Sequence, residues 1–339
     1  MAQRSGVVVV GSANVDVVLG VDDVPRPGET VLARSRTEHV GGKGLNQAVA
    51  AARAGAATTF VGAVGDDAGG RRLRQVLAEE AVDVRCRVVG EPSGTAFVTV
   101  AAGGENAIVV DAGANAGLVD LTDDELDAVR GAGHLLCQLE VPLPTVVAAA
   151  RAASSAGGVV VLNPSPVQAL PPDLLVAVDV LVVNEHEAAE LAGGSGRSGA
   201  DGSVVERARP LARRLLEDVP AVVVTLGARG ALVAVRGGGP DGVHVPGLEV
   251  EAVDTTGAGD VFSGALVAGL EVARTRRAAG EAPGMTPGKT PGEDVSDEDV
   301  LRGAARFATA AAAWSVRSHG AASSAPRRGD VEALLGSPG

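Results

Sequence analysis

An α/β fold, with a doubly wound, mostly parallel sheet flanked by helices, is what the sequence predicts. Three observations predict it. Short, mostly apolar runs recur at Val7–Val10, residues 135–139, Val159–Leu162, residues 180–183 and Ala221–Thr225. Such runs suit strands covered on both faces, whereas a half-exposed strand would alternate. Stretches of helical length lie between several of them, and strand–helix alternation implies right-handed crossovers. Polar or glycine-bearing clusters follow the runs, so Asn14, Glu140, Asn163, Asn184 and Gly227 fall at strand carboxyl ends, where such sheets collect ligands.

Each element has its own signal. Val7–Val10 ends in Gly11-Ser12-Ala13-Asn14-Val15-Asp16. Residues 17–31 are short extended pieces separated by Pro and Gly, which fits a small sheet leaving the main body. Gly41-Gly42-Lys43-Gly44 opens an alanine-rich helix closed by Gly55. Residues 58–64 read as a strand and 69–80 as an amphipathic helix. Residues 95–101 and 107–111 are extended around a Gly103-Gly104 turn. Further on, residues 145–156 are a helix, Asn184-Glu185-His186-Glu187 joins a strand to a helix at 188–191, and helices follow at 261–273 and 297–313. Two stretches read as surface insertions: the Gly/Ser-rich 193–203, and 274–295 with its repeated PGxT unit, taken as disordered.

Bulk composition narrows the function. The chain has 339 residues, enough for one large domain, here taken as 1–339. Aromatic residues are 1% and Tyr is absent, so the core must come from Val, Leu and Ala. A net charge of −13 argues against nucleic acid and anionic membrane surfaces as partners. No apolar run reaches membrane-spanning length, so a cytoplasmic protein is expected. Cys86 and Cys137 lack metal-type spacing and read as two buried thiols.

The chemistry is placed at Asp254-Thr255-Thr256-Gly257-Ala258-Gly259-Asp260. Small residues at Gly257, Ala258 and Gly259 leave backbone N–H groups uncovered at the start of an apolar helix. A helix start carries unpaired donors and partial positive charge, suited to a phosphate. Asp260 sets a carboxylate beside that anion site, within reach of a hydroxyl proton. Read alone, the stretch is equally a glycine turn with an Asp at the helix start. Asn14 and Asp16 are two apart and share a strand face, but each also fits a strand-end turn. Asn184 and Glu187 fit a capping box as well as a metal site. A Walker A motif is absent, and Gly11-Ser12-Ala13-Asn14 is not the GxGxxG of a dinucleotide fold.

Taken in order, these clusters resemble the ribokinase branch of the PfkB sugar kinases. So do Asp111-Ala112-Gly113-Ala114-Asn115, Gln138-Leu139-Glu140, Leu162-Asn163-Pro164 and residues 225–230, so the resemblance covers about 7–326. It implies phosphoryl transfer from ATP to O5 of D-ribose, with Asp260 as general base and Gly257, Ala258 and Gly259 as the anion hole. It implies a sugar site at Asn14, Val15, Asp16, Gly42, Lys43, Gly44, Asn46 and Glu140, besides Asp260. It implies ATP contacts at Asn184, Thr225, Leu226, Gly227, Ala228, Arg229, Gly230, Gly259, Asp260 and Thr309. Mg²⁺ is implied near Glu187 through water, and K⁺ at Asp254, Thr256, Ser315, Ser318, Gly320 and Ser324. The small β lid of that branch is matched by about 17–40 and 95–110, and it implies a homodimer. The alternatives are a PfkB kinase for another acceptor, such as fructose, 2-keto-3-deoxygluconate or adenosine, and a non-catalytic sugar-binding protein on the same fold.

Overall fold

In the computed structural model, residues 4–193, 203–239, 241–280 and 298–336 are described. Strand β1 (Val7–Val10) lies near the middle of a nine-stranded sheet. Its neighbours are β4 (Thr58–Gly65), followed outward by β5 (Asp83–Val89), and β8 (His134–Cys137). Beyond β8 come β9 (Val159–Leu162), β10 (Val180–Asn184) and β11 (Ala221–Thr225), all parallel. Two strands that the sequence reading did not foresee, β12 (Gly230–Val235) and β13 (Val243–Pro246), add an antiparallel margin. The chain leaves β1 toward β4 on one side and later fills β8 on the other. The carboxyl end of β1 is therefore the switch point where such sheets open a crevice.

Alternation along the valine run shows why both faces are apolar. Val7 and Val9 pack in one core cluster, Val8 and Val10 in the other. The first cluster lies under α1 (Lys43–Arg53), α2 (Ala68–Glu79), α8 (Ala258–Ala278), α9 (Glu298–Ser315) and α10 (Arg328–Gly336). The second lies under α3 (Asp123–Gly131), α4 (Leu143–Ser155), α5 (Pro172–Leu175), α6 (Glu185–Leu191) and α7 (Val204–Leu215). Each fully buried Val or Leu contributes roughly 1.5–3 kcal/mol over leaving it exposed. At one contact only glycine lets two helices approach: a Cβ on Gly264 of α8 would meet the Gln47 carbonyl of α1 at 2.4 Å.

A separate four-stranded sheet has the order β3 (Ser35–Gly41), β2 (Asn14–Val21), β6 (Gly94–Ala101), β7 (Asn106–Asp111). It stands over the carboxyl end of β1, because β2 follows β1 after three residues. Cys137 is buried, Cys86 is only partly so, and both are free thiols. The insertion expected at 274–295 starts later than predicted: residues 274–278 complete α8, whose Glu271, Arg274 and Thr275 form hydrogen bonds that hold the helix together. The PGxT repeat, and the Gly/Ser-rich stretch from 194 to 202, lie outside the described residues. Among the described residues no helix is long and apolar enough to cross a membrane.

Candidate active site

The crevice forms where α1 begins against the end of β1. Gly42 sits at φ 87, and a Cβ there would meet the Asn14 amide at 2.8 Å; a Cβ on Gly44 would meet the Ser12 amide at 2.6 Å. Only glycine lets this helix start close onto the strand end. Glu140 ties the two together, its Oε2 accepting from Ser12 Oγ at 2.5 Å and from the Lys43 amide at 3.0 Å. Asn14 is braced by Asn115, whose Nδ2 donates to Asn14 Oδ1 at 2.7 Å, so Asn14 has its own amide donor left to offer. Asp16 shares this face and lies over Gly41, where a Cβ would meet its carboxylate at 2.1 Å. Val15 points the other way, against Gly69 of α2 and the core, so only its backbone faces the crevice.

Electrostatics concentrate at the same point. Burial, then the charges of Glu140 and Asp260, push the Asp16 carboxyl up to about 7. Burial pulls the Lys43 ammonium down, but Asp260, Glu140 and Glu187 together hold it above its ordinary value. One ammonium thus feels carboxylates from both the sugar-side and the nucleotide-side motifs.

Helix α8 starts at Gly257, whose φ of 75 and whose contact with Ala321 (a Cβ would lie 2.5 Å from the Ala321 Cβ) exclude other side chains without strain. The Ala258 amide already donates to Thr255 O at 3.2 Å, so it enters the expected anion hole shared. A Cβ on Gly259 would meet nothing within 4 Å; that face opens into a cavity. Asp260 is buried, with Oδ2 accepting from Asn46 Nδ2 at 3.0 Å and Oδ1 from Gln47 Nε2 at 2.9 Å.

The cavity is about 600 Å³ and lies between the β11 end and helices α8 and α9. Thr225, Gly227, Ala228, Arg229, Gly230 and Thr309 all line it. Leu226 does not: its side chain is buried in the core beneath α4–α7. Apolar position 226 follows the strand alternation inward while its neighbours turn out. Among the described residues, three buried side-chain polar atoms lack a hydrogen-bond partner: Asn46 Oδ1, Gln138 Oε1 and Thr309 Oγ1. An unsatisfied buried group costs about 1–3 kcal/mol, so each of these three atoms has hydrogen-bonding capacity that the described residues leave unused.

The remaining predicted residues divide between local and ligand roles. Asn184 and Glu187 do form a capping box: each side chain bonds the other's amide at 2.8 Å. The box uses one Glu187 oxygen and leaves Oε1 outside it. Asp254 joins two segments, accepting from Thr256 N at 2.9 Å and Gly320 N at 3.0 Å. Burial raises its carboxyl, but these bonds and His319 bring it below its usual value. Ser318 N reaches Ser315 O at 3.4 Å, and Ser324 Oγ donates to Ala321 O at 3.0 Å, so the six positions lie on two facing segments. The hydroxyls of Ser315 and Ser324 donate to nearby carbonyls, and Ser318 is exposed. Sequence reasoning missed Gln47, Asn115 and Ser12, which hold Asp260, Asn14 and Glu140. Ser12 and Asn115 stand within clusters quoted for the resemblance and Gln47 follows Asn46, but no role followed for any of them from the sequence.

The comparisons agree with this geometry. A family model described as "pfkB family carbohydrate kinase" matches residues 4–328. A ribokinase of Haemophilus influenzae is 36% identical over 98% of this chain and 99% of its own. One of Bacillus subtilis is 33% identical over 96% and 98%. The structure of Arabidopsis thaliana ribokinase complexed with ribose and ATP superposes with a TM-score of 0.80 at 31% identity, covering 99% of this chain and 100% of that one. With its crevice, its helix-start aspartate and a match over nearly its whole length, this chain belongs to the pfkB family of carbohydrate kinases.

Proposed function

We propose that the protein transfers the terminal phosphoryl group of ATP to O5 of D-ribose. The observation that carries the reading is the place of Asp260: its carboxylate sits among sugar-side amides, on a helix start that opens into the 600 Å³ cavity. Relatives at 33–36% identity are ribokinases, and one similar structure holds ribose and ATP. In this reading Asp16 accepts sugar hydroxyls, Asn14 donates to one, and the free Asn46 Oδ1 accepts another. Gly42 and Gly44 bring backbone to the sugar; Lys43 and Glu140 complete the charge pattern. Asp260 takes the proton of the attacking hydroxyl, help worth roughly 10²- to 10⁴-fold. The Gly257–Gly259 turn holds the transferring group, each aimed donor contributing about 3–4 kcal/mol. Adenine and ribose lie along Thr225–Gly230 backbone, with Arg229 reaching phosphate and Thr309 Oγ1 meeting the nucleotide.

Two ions complete the reading. Glu187 offers hard oxygen, directly or through water, to Mg²⁺, which would neutralise phosphate charge when bound. K⁺ would be held by Asp254 and Thr256 with the 315–324 segment. The four-stranded sheet acts as lid and dimer surface. Its margin strand β7 is exposed throughout and carries Ile108, Val109 and Val110, which a second copy would cover.

The test is product identification by mass and ³¹P resonance after incubation with ATP and a panel of pentoses, hexoses and nucleosides, with and without K⁺. D-ribose 5-phosphate as the main product, faster in K⁺, is expected. A product from fructose or a nucleoside in its place would reassign the acceptor, and none from any member would sink the reading.

A further inference from the structure

Three buried side-chain amides run in series toward Asp260. Asn163 Nδ2 donates to the Val182 carbonyl of β10 at 3.0 Å. A backbone carbonyl only accepts, so the Asn163 oxygen must face the other way, and it accepts from Gln47 Nε2 at 3.2 Å. The same Nε2 donates to Asp260 Oδ1 at 2.9 Å, which uses both of its hydrogens. Gln47 Oε1 is then left to accept from Gln138 Nε2 at 2.6 Å. Turning any one amide over would set oxygen against oxygen. Gln47 and Gln138 are wholly buried and Asn163 nearly so, and burial strengthens each of these bonds.

We infer that Gln47 is a positioning residue for phosphoryl transfer: polarised by the Val182 carbonyl through Asn163, it presents a fixed donor that keeps Asp260 an aimed acceptor. The inference rests on reading Asp260 as the general base. Gln47 and Asn46 are consecutive on α1 and point about 100° apart, so they take one carboxylate oxygen each from two directions. The carboxylate cannot then swing, and its remaining lone pairs stay available to the substrate hydroxyl. Displacement of a reacting group by about 1 Å can lower a rate about 100-fold, which is the scale at stake here.

The test replaces Gln47 with Met, alone and together with Gln138→Met. The single variant leaves Gln138 Nε2 buried without a partner. The double variant removes both ends of that bond, so what it still lacks is the Gln47 donor to Asn163 and Asp260. We expect kcat to fall about 10- to 100-fold in both and KM for ATP to stay within about twofold. In the double variant the melting temperature should recover toward that of the parent while kcat stays low. Activity that recovers in step with melting temperature, or parental kcat in either variant, would overturn the inference. Asp260→Asn run beside them separates the two claims. If it still turns over, the general-base reading fails; if it is inactive while the double variant behaves as parent, the positioning role alone fails.

Discussion

The charge on Asp16 works against folding stability. On β2 of the small sheet, partly buried and facing the Glu140 and Asp260 charges, its carboxyl is pushed up to about 7 from 3.8. The unfolded chain loses that proton near 4, the folded chain only near 7. Folding stability therefore falls as pH rises from about 4 to 7, by an amount on the order of a few kcal/mol, and stays low above it. Asp16→Asn should remove this decline: urea melts at pH 8 should show a more stable protein than the parent, while melts at pH 4 should nearly coincide. The same change should weaken sugar binding about tenfold or more in calorimetry, because a charged acceptor is lost. The sharing of one face by Asn14 and Asp16 was legible from their spacing. The roles of Asn115 and Gln47 were not, because each exists only where distant segments cross: residues 13–14 with 115, and α1 with α8. Leu226 reads as a loop residue beside Gly227, yet strand alternation carries it into the core.

Helix α8 joins chemistry at one end to anchorage further along. Eleven residues after Asp260, Glu271 accepts from the Gly6 amide at 2.8 Å, meets His134 Nδ1 at 2.9 Å and takes Arg274 Nε at 3.0 Å. Burial raises this carboxyl, but His134, Arg274 and Gly6 overcome it and hold it down to about 2. Its contribution is present above about pH 4.5 and is lost as pH falls toward 2. Glu271→Ala should lower stability by about 3–5 kcal/mol, since the buried His134 and the Gly6 amide lose their acceptor and the partly buried Arg274 loses its ion pair. The kcat at 25 °C should stay within about twofold, since the site lies roughly 16 Å along the helix. Thermal melts and steady-state rates at one pH check both. At the helix start, Gly257→Ala forces a left-handed φ on a side chain that meets Ala321; it should lose about 1–3 kcal/mol and at least tenfold in kcat. This start was legible because small residues preceded an apolar run. The direction of β12 was not: Gly-Ala-Leu-Val-Ala-Val is apolar on both faces, so its composition suits a parallel strand equally, and only the tight turn at Gly227–Arg229 reverses it.

For the whole molecule, the fold was legible because its parallel strands are uniformly apolar and the polar residues mark one end of each. The crevice followed from that ordering, since β1, β8, β9 and β10 are neighbours whose carboxyl ends bring Asn14, Glu140, Asn163 and Asn184 to one side. The exposed apolar margin of the small sheet was legible only as extended chain. Val109→Arg, placed where β7 is most exposed, should shift the sedimentation coefficient from dimer to monomer and raise the KM for sugar as the lid loses its support. An unchanged sedimentation coefficient would remove that surface from the dimer. The proposed transfer depends on a single carboxylate, that of Asp260, which accepts from Asn46 and Gln47 at the start of α8. Asp260→Asn, assayed for D-ribose 5-phosphate formation beside ribose binding by calorimetry, tests it most directly. The account predicts ribose bound within about tenfold of the parent and turnover reduced at least about 100-fold; turnover near that of the parent would contradict it.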